Sequence, residues 1–405
     1  MNANGQLNRF VAVSKLSTKG FTLIELIIVM ALFMGVIIIS SQAFNKILSM
    51  STQLTKSSES DTQGVIGLEM LRIDIEHAGY GMPWLLSFPA AFDEVDSTIA
   101  DLTPGINTQD FNDTNMAEPA RTTDPNMVPR PVQAAASTVN GRDYLVIKSV
   151  MAGMNETDKK WTYVNGVGGT LKIWGVNDLV ASERVVTIDS RTKRLVSLLP
   201  PTNNTSYVTG NPADFSYTIT SAGMTPTAAF QPQQDTDFFV VYGVSKATDL
   251  RAPYNRVDYF VKRPTTASDI PARCAPGTGI LYKAVMNHND HGDLTSYPLV
   301  ECIADMQVVF NVAADGVNGV DVDQSGLAGL SAKEIRQQLK MIKIYLVAHE
   351  GGKDNGFSYS SETITVGEGS GRILNLKNDV VGSDEYKKYR WKIYKLVVIP
   401  KNINY

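Results

Sequence analysis

Residues 19–39 read KGFTLIELIIVMALFMGVIII, a Lys-Gly pair followed by an apolar run with a single carboxylate, Glu25. As a helix, residues 21–39 rise about 28 Å at about 1.5 Å per residue, close to the hydrocarbon thickness of a bilayer. The flanks orient it. Residues 1–20 carry Arg9, Lys15 and Lys19 and no acid, so the positive-inside rule keeps them cytoplasmic and sends the remainder across the membrane. A secretory signal peptide has the same outline, and Ser41-Gln42-Ala43 offers it a small-x-small cleavage site. Glu25 argues against that alternative. A carboxylate within a membrane segment is disfavoured by a few kcal/mol and marks a functional position that needs a partner.

Lys19-Gly20-Phe21-Thr22-Leu23-Ile24-Glu25-Leu26 resembles the leader junction of type IV prepilins and pseudopilins. The resemblance implies cleavage after Gly20 by a prepilin peptidase on the cytoplasmic side, then methylation of the new N-terminal residue, Phe21. It also implies that Glu25 pairs with the N-terminal amine of a neighbouring subunit during filament assembly. Localisation follows: a single-pass inner-membrane precursor with its N-terminus cytoplasmic and its head periplasmic, later part of an extracellular pilus.

Beyond the membrane, Ala43, Phe44, Ile47, Leu48 and Leu54, and then Val65, Leu68, Leu71 and Ile75, keep helical spacing. A stem helix over 21–81 is expected, with 21–40 as its transmembrane part. A kink is expected near Gly64 and Gly67, and Gly79-Tyr80-Gly81-Met82-Pro83 supplies the stop. The alternative makes the polar stretch 49–63 a linker. Residues 82–140, rich in Pro, Asn, Thr and Asp, read as a long irregular loop. Residues 141–405 read as a β-rich globular head. Its strands are expected at 142–151, 170–174, 184–188, 194–199, 237–244, 256–262, 280–286, 299–312, 341–348 and 390–399. One helix interrupts them, opened by the capping box Ser331-Ala332-Lys333-Glu334. The fold class is therefore α+β: a hydrophobic stem helix, then a large, mainly antiparallel sheet with a long irregular loop.

Several segments resemble large minor pilins of the PilW type: LEMLRIDIEHAGYG at 68–81, DYLVIKSV at 143–150, VDYFVK at 257–262 and LVECIADMQVVF at 299–310. That resemblance implies a subunit that initiates assembly at the pilus tip with the major pilin and other minor pilins, and that presents an adhesin. A J-type minor pseudopilin of type II secretion shares the plan and is the alternative.

Other chemistry is sparse. After residue 20 the chain holds 34 Lys and Arg against 41 Asp and Glu, which speaks against direct nucleic-acid binding. No P-loop, G-x-S-x-G or H-E-x-x-H occurs, so no enzyme is expected. Asp321-Val322-Asp323-Gln324-Ser325-Gly326 follows the opening of a calcium loop and makes Asp321, Asp323 and Ser325 candidate ligands. Ala332 stands where that loop expects a bidentate Glu. Residues 287–293, with two histidines, have hairpin-tip composition. In an exported domain the two cysteines, Cys274 and Cys302, are expected to pair. Trp84, Phe88, Phe92 and Phe111 in the loop either pack on the head or form an adhesive surface.

Overall fold

The computed structural model describes Gly20 and residues 22–86, 92, 94–96, 101–113, 128–197, 215–220, 225–246, 250–266, 269–289, 291–368 and 371–403, without side chains at 49 and 52–63. Two compact units divide the chain, Met1–Thr55 and Lys56–Tyr405. Helix α1 runs from Leu23 to Glu76. Within the first unit it is apolar and bare: Leu23–Leu48 has a mean hydropathy of 2.8 and buries none of its most apolar window. That pattern suits a helix whose solvent is lipid or other helices.

The second unit is built on an eight-stranded antiparallel sheet. Its members are β1 (Val132–Ala136), β2 (Asp143–Ser149), β7 (Asn255–Lys262), β8 (Gly279–Met286), β9 (Leu294–Val312), β10 (Val320–Val322), β11 (Leu339–Glu350) and β14 (Arg390–Val398). The order is β1-β2-β7-β8-β9-β11-β14, with β10 also paired to β9. A second sheet, β3 (Trp161–Asn165), β4 (Arg184–Asp189), β5 (Tyr217–Thr218) and β6 (Phe238–Ser245), is ordered β3-β6-β4-β5. It is inserted between β2 and β7, which are themselves hydrogen-bonded neighbours. A small hairpin, β12 (Thr363–Val366) with β13 (Arg372–Asn375), completes the strands.

Alternation along β2 shows how the large sheet is covered. Leu145 and Ile147 point into a core shared with Leu71 and Ile75 of α1, whereas Tyr144 and Val146 point into one shared with Ile106 and Phe111. All seven residues of β2 are buried, as expected of a strand covered on both faces.

Helix α1 is continuous through Gly64 and Gly67, and Gly67 has a packing use. It lets the helix approach β9, because a Cβ there would lie 2.7 Å from Val300 Cγ2. The helix ends where the sequence indicates: Gly79 takes φ +77°, the left-handed conformation of a helix stop.

Two expectations need correction. Residues 82–140 contain the edge strand β1 and a 3₁₀ turn at Thr108–Phe111, and many of their side chains are buried. Among the described residues, 170–174 and 194–197 form no named strand, and the rest of the expected strand 194–199 lies outside them; Arg194 and Leu195 make isolated bridges. The other strand expectations each overlap an observed strand. The capping box at Ser331 opens helix α3 (Ala332–Gln338), just after the five-residue helix α2 (Gln324–Ala328).

Candidate functional site

Gly20 is exposed, and Phe21 lies outside the described residues. Glu25 sits in the first turn of α1, where its Oε2 accepts from Thr22 N at 2.9 Å and from Thr22 Oγ1 at 2.8 Å. Thr22 Oγ1 in turn accepts from Glu25 N at 3.3 Å. Thr22-Leu23-Ile24-Glu25 is thus a capping box, two orphan helix donors satisfied reciprocally. The T-x-x-E spacing was visible in the sequence, but the apolar run around it drew the reading towards the membrane. Within one subunit, then, the carboxylate has a local use.

At its other end α1 is locked to the large sheet by a buried charge. Asp74 Oδ2 accepts from Tyr259 Oη at 2.5 Å and lies 2.6 Å from Lys283 Nζ. Burial pushes the Asp74 carboxyl up, opposed by the pull of Lys283. Leu71, about one turn earlier, and Ile75, the next residue, are fully buried. At the end of the helix, Lys401 N donates to Glu76 O at 2.9 Å.

A second buried network ties the segment 94–130 to the opposite face of the sheet. Lys148 Nζ on β2 donates to Glu94 Oε1 at 2.7 Å, to Asp113 Oδ2 at 2.6 Å and to Phe111 O at 2.7 Å. Arg256 on β7 holds Asp258 at 2.7 Å and reaches Glu94 Oε2 at 3.4 Å. Tyr254 Oη donates to Glu94 Oε1 at 2.7 Å, and Arg130 Nε lies 3.5 Å from Asp113 Oδ1. Sequence reading missed this network because its acids lie in a segment without periodicity.

The candidate calcium ligands are placed close in sequence but are committed elsewhere. Asp321 sits on β10, 2.6 Å from Lys343 Nζ, and accepts from Asn311 Nδ2 at 2.7 Å. Asp323 caps α2, accepting from Gly326 N and from Ser325 Oγ. An ammonium group on the first ligand and a helix cap on the second do not fit a calcium loop. Among the described residues no group of three or more His, Cys, Asp and Glu side chains is placed to hold a metal ion. His288 is buried, its Nε2 3.0 Å from Asn255 Oδ1 and its Nδ1 accepting from Arg251 N at 3.1 Å; burial lowers its pKa to about 3. It is neutral and structural.

Cys274 and Cys302 form a disulfide with a Cα–Cα distance of 4.8 Å, linking the segment before β8 to β9. On the chain-entropy model a loop of that length contributes about 3–4 kcal/mol.

Phe92 and Phe111 are buried, and Phe88 lies outside the described residues. Exposed aromatics occur instead on the second sheet. Trp174 packs at 5.2 Å from Trp161 and 5.7 Å from Tyr163, and Tyr163 stacks on Phe238 at 4.9 Å.

One buried acid supports a pH prediction. Asp143 accepts from Val308 N at 2.6 Å and from Gln324, and its Oδ1 has no hydrogen-bond partner. Burial raises its pKa to about 8, with nearby Asp305 adding to the shift. The folded state therefore holds a proton that the unfolded chain releases near pH 4, and stability falls as pH rises through that window. Asp143→Asn is expected to stabilise the protein at pH 8 and to lose that gain towards pH 4. Melting curves across that range that run parallel for the two proteins would contradict the assignment.

Residues 15–39 match the family model of the prokaryotic N-terminal methylation motif. No curated protein and no solved structure matches the chain. With its capped apolar helix, the matched segment gives the chain the N-terminus of a type IV prepilin-like protein, the kind that prepilin peptidase processes and that assembles with pilins.

Proposed function

We propose that this chain is a large minor pilin of the PilW type, cleaved after Gly20, methylated on Phe21, and assembled with the major pilin and other minor pilins at a pilus tip. The methylation motif at 15–39 carries the reading. It is supported by the order of elements: an apolar helix whose later turns pack through Leu71, Asp74 and Ile75 against a large antiparallel sheet. Such a subunit is anchored in the inner membrane through α1 before assembly and leaves it by lateral packing of that helix. Its role is structural and initiating. The inserted second sheet, with its exposed aromatic side chains, is where the head has room to present an adhesin.

The first test is the mass of the mature protein. A chain beginning at Phe21 and carrying one methyl group is expected. A start near Ala43 or Phe44 would make the apolar run a signal peptide and end the proposal. The second test is location. Labelled protein is expected at the ends of sheared pili and absent from their length. Loss of protein secretion with pili intact would favour the J-type pseudopilin.

A further inference from the structure

Lys148 is a fully buried primary amine held between two fully buried carboxylates. Its Nζ lies 2.6 Å from Asp113 Oδ2 and 2.7 Å from Glu94 Oε1. The two acids are also fixed against each other. Asp113 N donates to Glu94 Oε1 at 3.0 Å, and the neighbouring Asn112 clamps Val95 through its N at 3.0 Å and its O at 2.7 Å. An ion pair needs one carboxylate for one ammonium. A second carboxylate on the same nitrogen is what acyl transfer to an amine requires: one carboxyl carbon to be attacked, and one neighbour to move protons. Holding all three groups in hydrogen-bond contact replaces the high concentrations that such a reaction needs in water.

The two acids are not equivalent. Glu94 is engaged at both oxygens, Oε1 by Tyr254 Oη at 2.7 Å as well as by Lys148, and Oε2 by Arg256 at 3.4 Å. Asp113 presents Oδ2 to Lys148 and turns Oδ1 towards Arg130 Nε at 3.5 Å. A guanidinium therefore stands beside the oxygen on which negative charge gathers when the Asp113 carboxyl carbon is attacked.

We infer that Lys148 and Asp113 join in an amide bond, formed by the folded chain itself with Glu94 as the proton carrier. Nζ attacks Cγ of Asp113, so the N–C bond forms and the bond from Cγ to Oδ2 breaks. Two of the three ammonium protons pass through Glu94 to Oδ2, which leaves as water, and Glu94 returns to its starting state. The third proton stays on the amide nitrogen, where Phe111 O, now 2.7 Å from Nζ, accepts it. Oδ1 remains as the amide oxygen beside Arg130. Nothing is oxidised or reduced, and no co-reactant is consumed. The reaction exchanges a buried ammonium and a buried carboxylate, both costly to keep out of water, for one neutral amide. Charge still balances within the network afterwards, with Glu94 and Asp258 facing Arg130 and Arg256. The bond would fasten the segment before β1 covalently to β2. The inference stands apart from the filament proposal.

The test is a peptide map of the full-length chain, purified in detergent, then unfolded, reduced and digested with trypsin. A branched peptide is expected, joining the fragment that holds Asp113 to the fragment that holds Lys148. Its mass is expected to be one water below the sum of the two, with trypsin unable to cut after Lys148. Glu94→Gln keeps the side-chain shape but carries no proton. In that variant the branch is expected to appear at least about a hundredfold more slowly after a pulse of synthesis. If the variant fails to fold, the map of the wild-type chain alone decides. Unlinked fragments from folded wild-type protein would overturn the inference. So would a branch from Lys148 to Glu94, or a branch formed at the wild-type rate in folded Glu94→Gln protein.

Discussion

Lys148→Met is expected to destabilise the folded head by about 3–5 kcal/mol, the range for breaking a buried ion pair by removing one partner. The ammonium donates three hydrogen bonds, to Glu94, Asp113 and Phe111 O, and all three side chains of the pair and its partners are fully buried. Methionine keeps most of the volume, so lost packing is a minor part of the effect. What remains is two buried carboxylates, Glu94 with Arg256 at 3.4 Å and Asp113 with Arg130 at 3.5 Å. Thermal or denaturant unfolding of full-length protein is the measurement. Adding Glu94→Gln and Asp113→Asn to Lys148→Met should recover part of the loss by removing the stranded charges. An unchanged midpoint for Lys148→Met would show that the network contributes little. Deleting residues 84–138 would have the same fault on a larger scale, because it removes β1 and both acids while leaving Lys148 and Arg256 on the sheet.

Glu25→Gln is expected to yield a processed, membrane-retained protein that is absent from sheared filaments. The substitution separates two uses of one side chain. Gln serves at the N3 position of a capping box as Glu does, so the helix start built with Thr22 is retained. The negative charge is lost, and with it, on the assembly implied by the leader resemblance, the partner for the positively charged amine of a neighbouring Phe21. In the apolar interior of a filament an unpaired ammonium is costly, so incorporation should fail although cleavage at Gly20 proceeds. Glu25→Ala, which removes both cap and charge, should fail as well. Gln-variant protein in filaments at the wild-type level would assign Glu25 to the helix cap alone.

The sequence made some of this legible and left other parts dark for physical reasons. The stem was readable because Leu68, Leu71 and Ile75 keep helical spacing, and the central strands because their apolar runs are bounded by turn residues. β1 was not, since Val-Gln-Ala-Ala-Ala has little β propensity and follows a proline-rich stretch. Its strand character comes from the ladder with β2, a tertiary contact. The leader motif was plain in eight residues. The charge network was not, because nothing local in Glu94 or Asp113 announces a lysine on β2. Asp321 and Asp323 misled in the opposite direction: their spacing suited a cation, and a lysine and a helix cap took them instead.

The insertion of a whole sheet between two paired strands sets a folding order. β2 and β7 can zip together only after the intervening segment 150–254 has been brought back on itself. The entropy of closing a flexible loop grows with its length, and pairings of such separation slow folding. The pairing of β4 with β6 and of β3 with β6 lies inside that segment and needs no contact with the large sheet. Once formed, it shortens the effective span that β2 and β7 must close. The smaller sheet can therefore form first, and its formation eases the closing of the larger one.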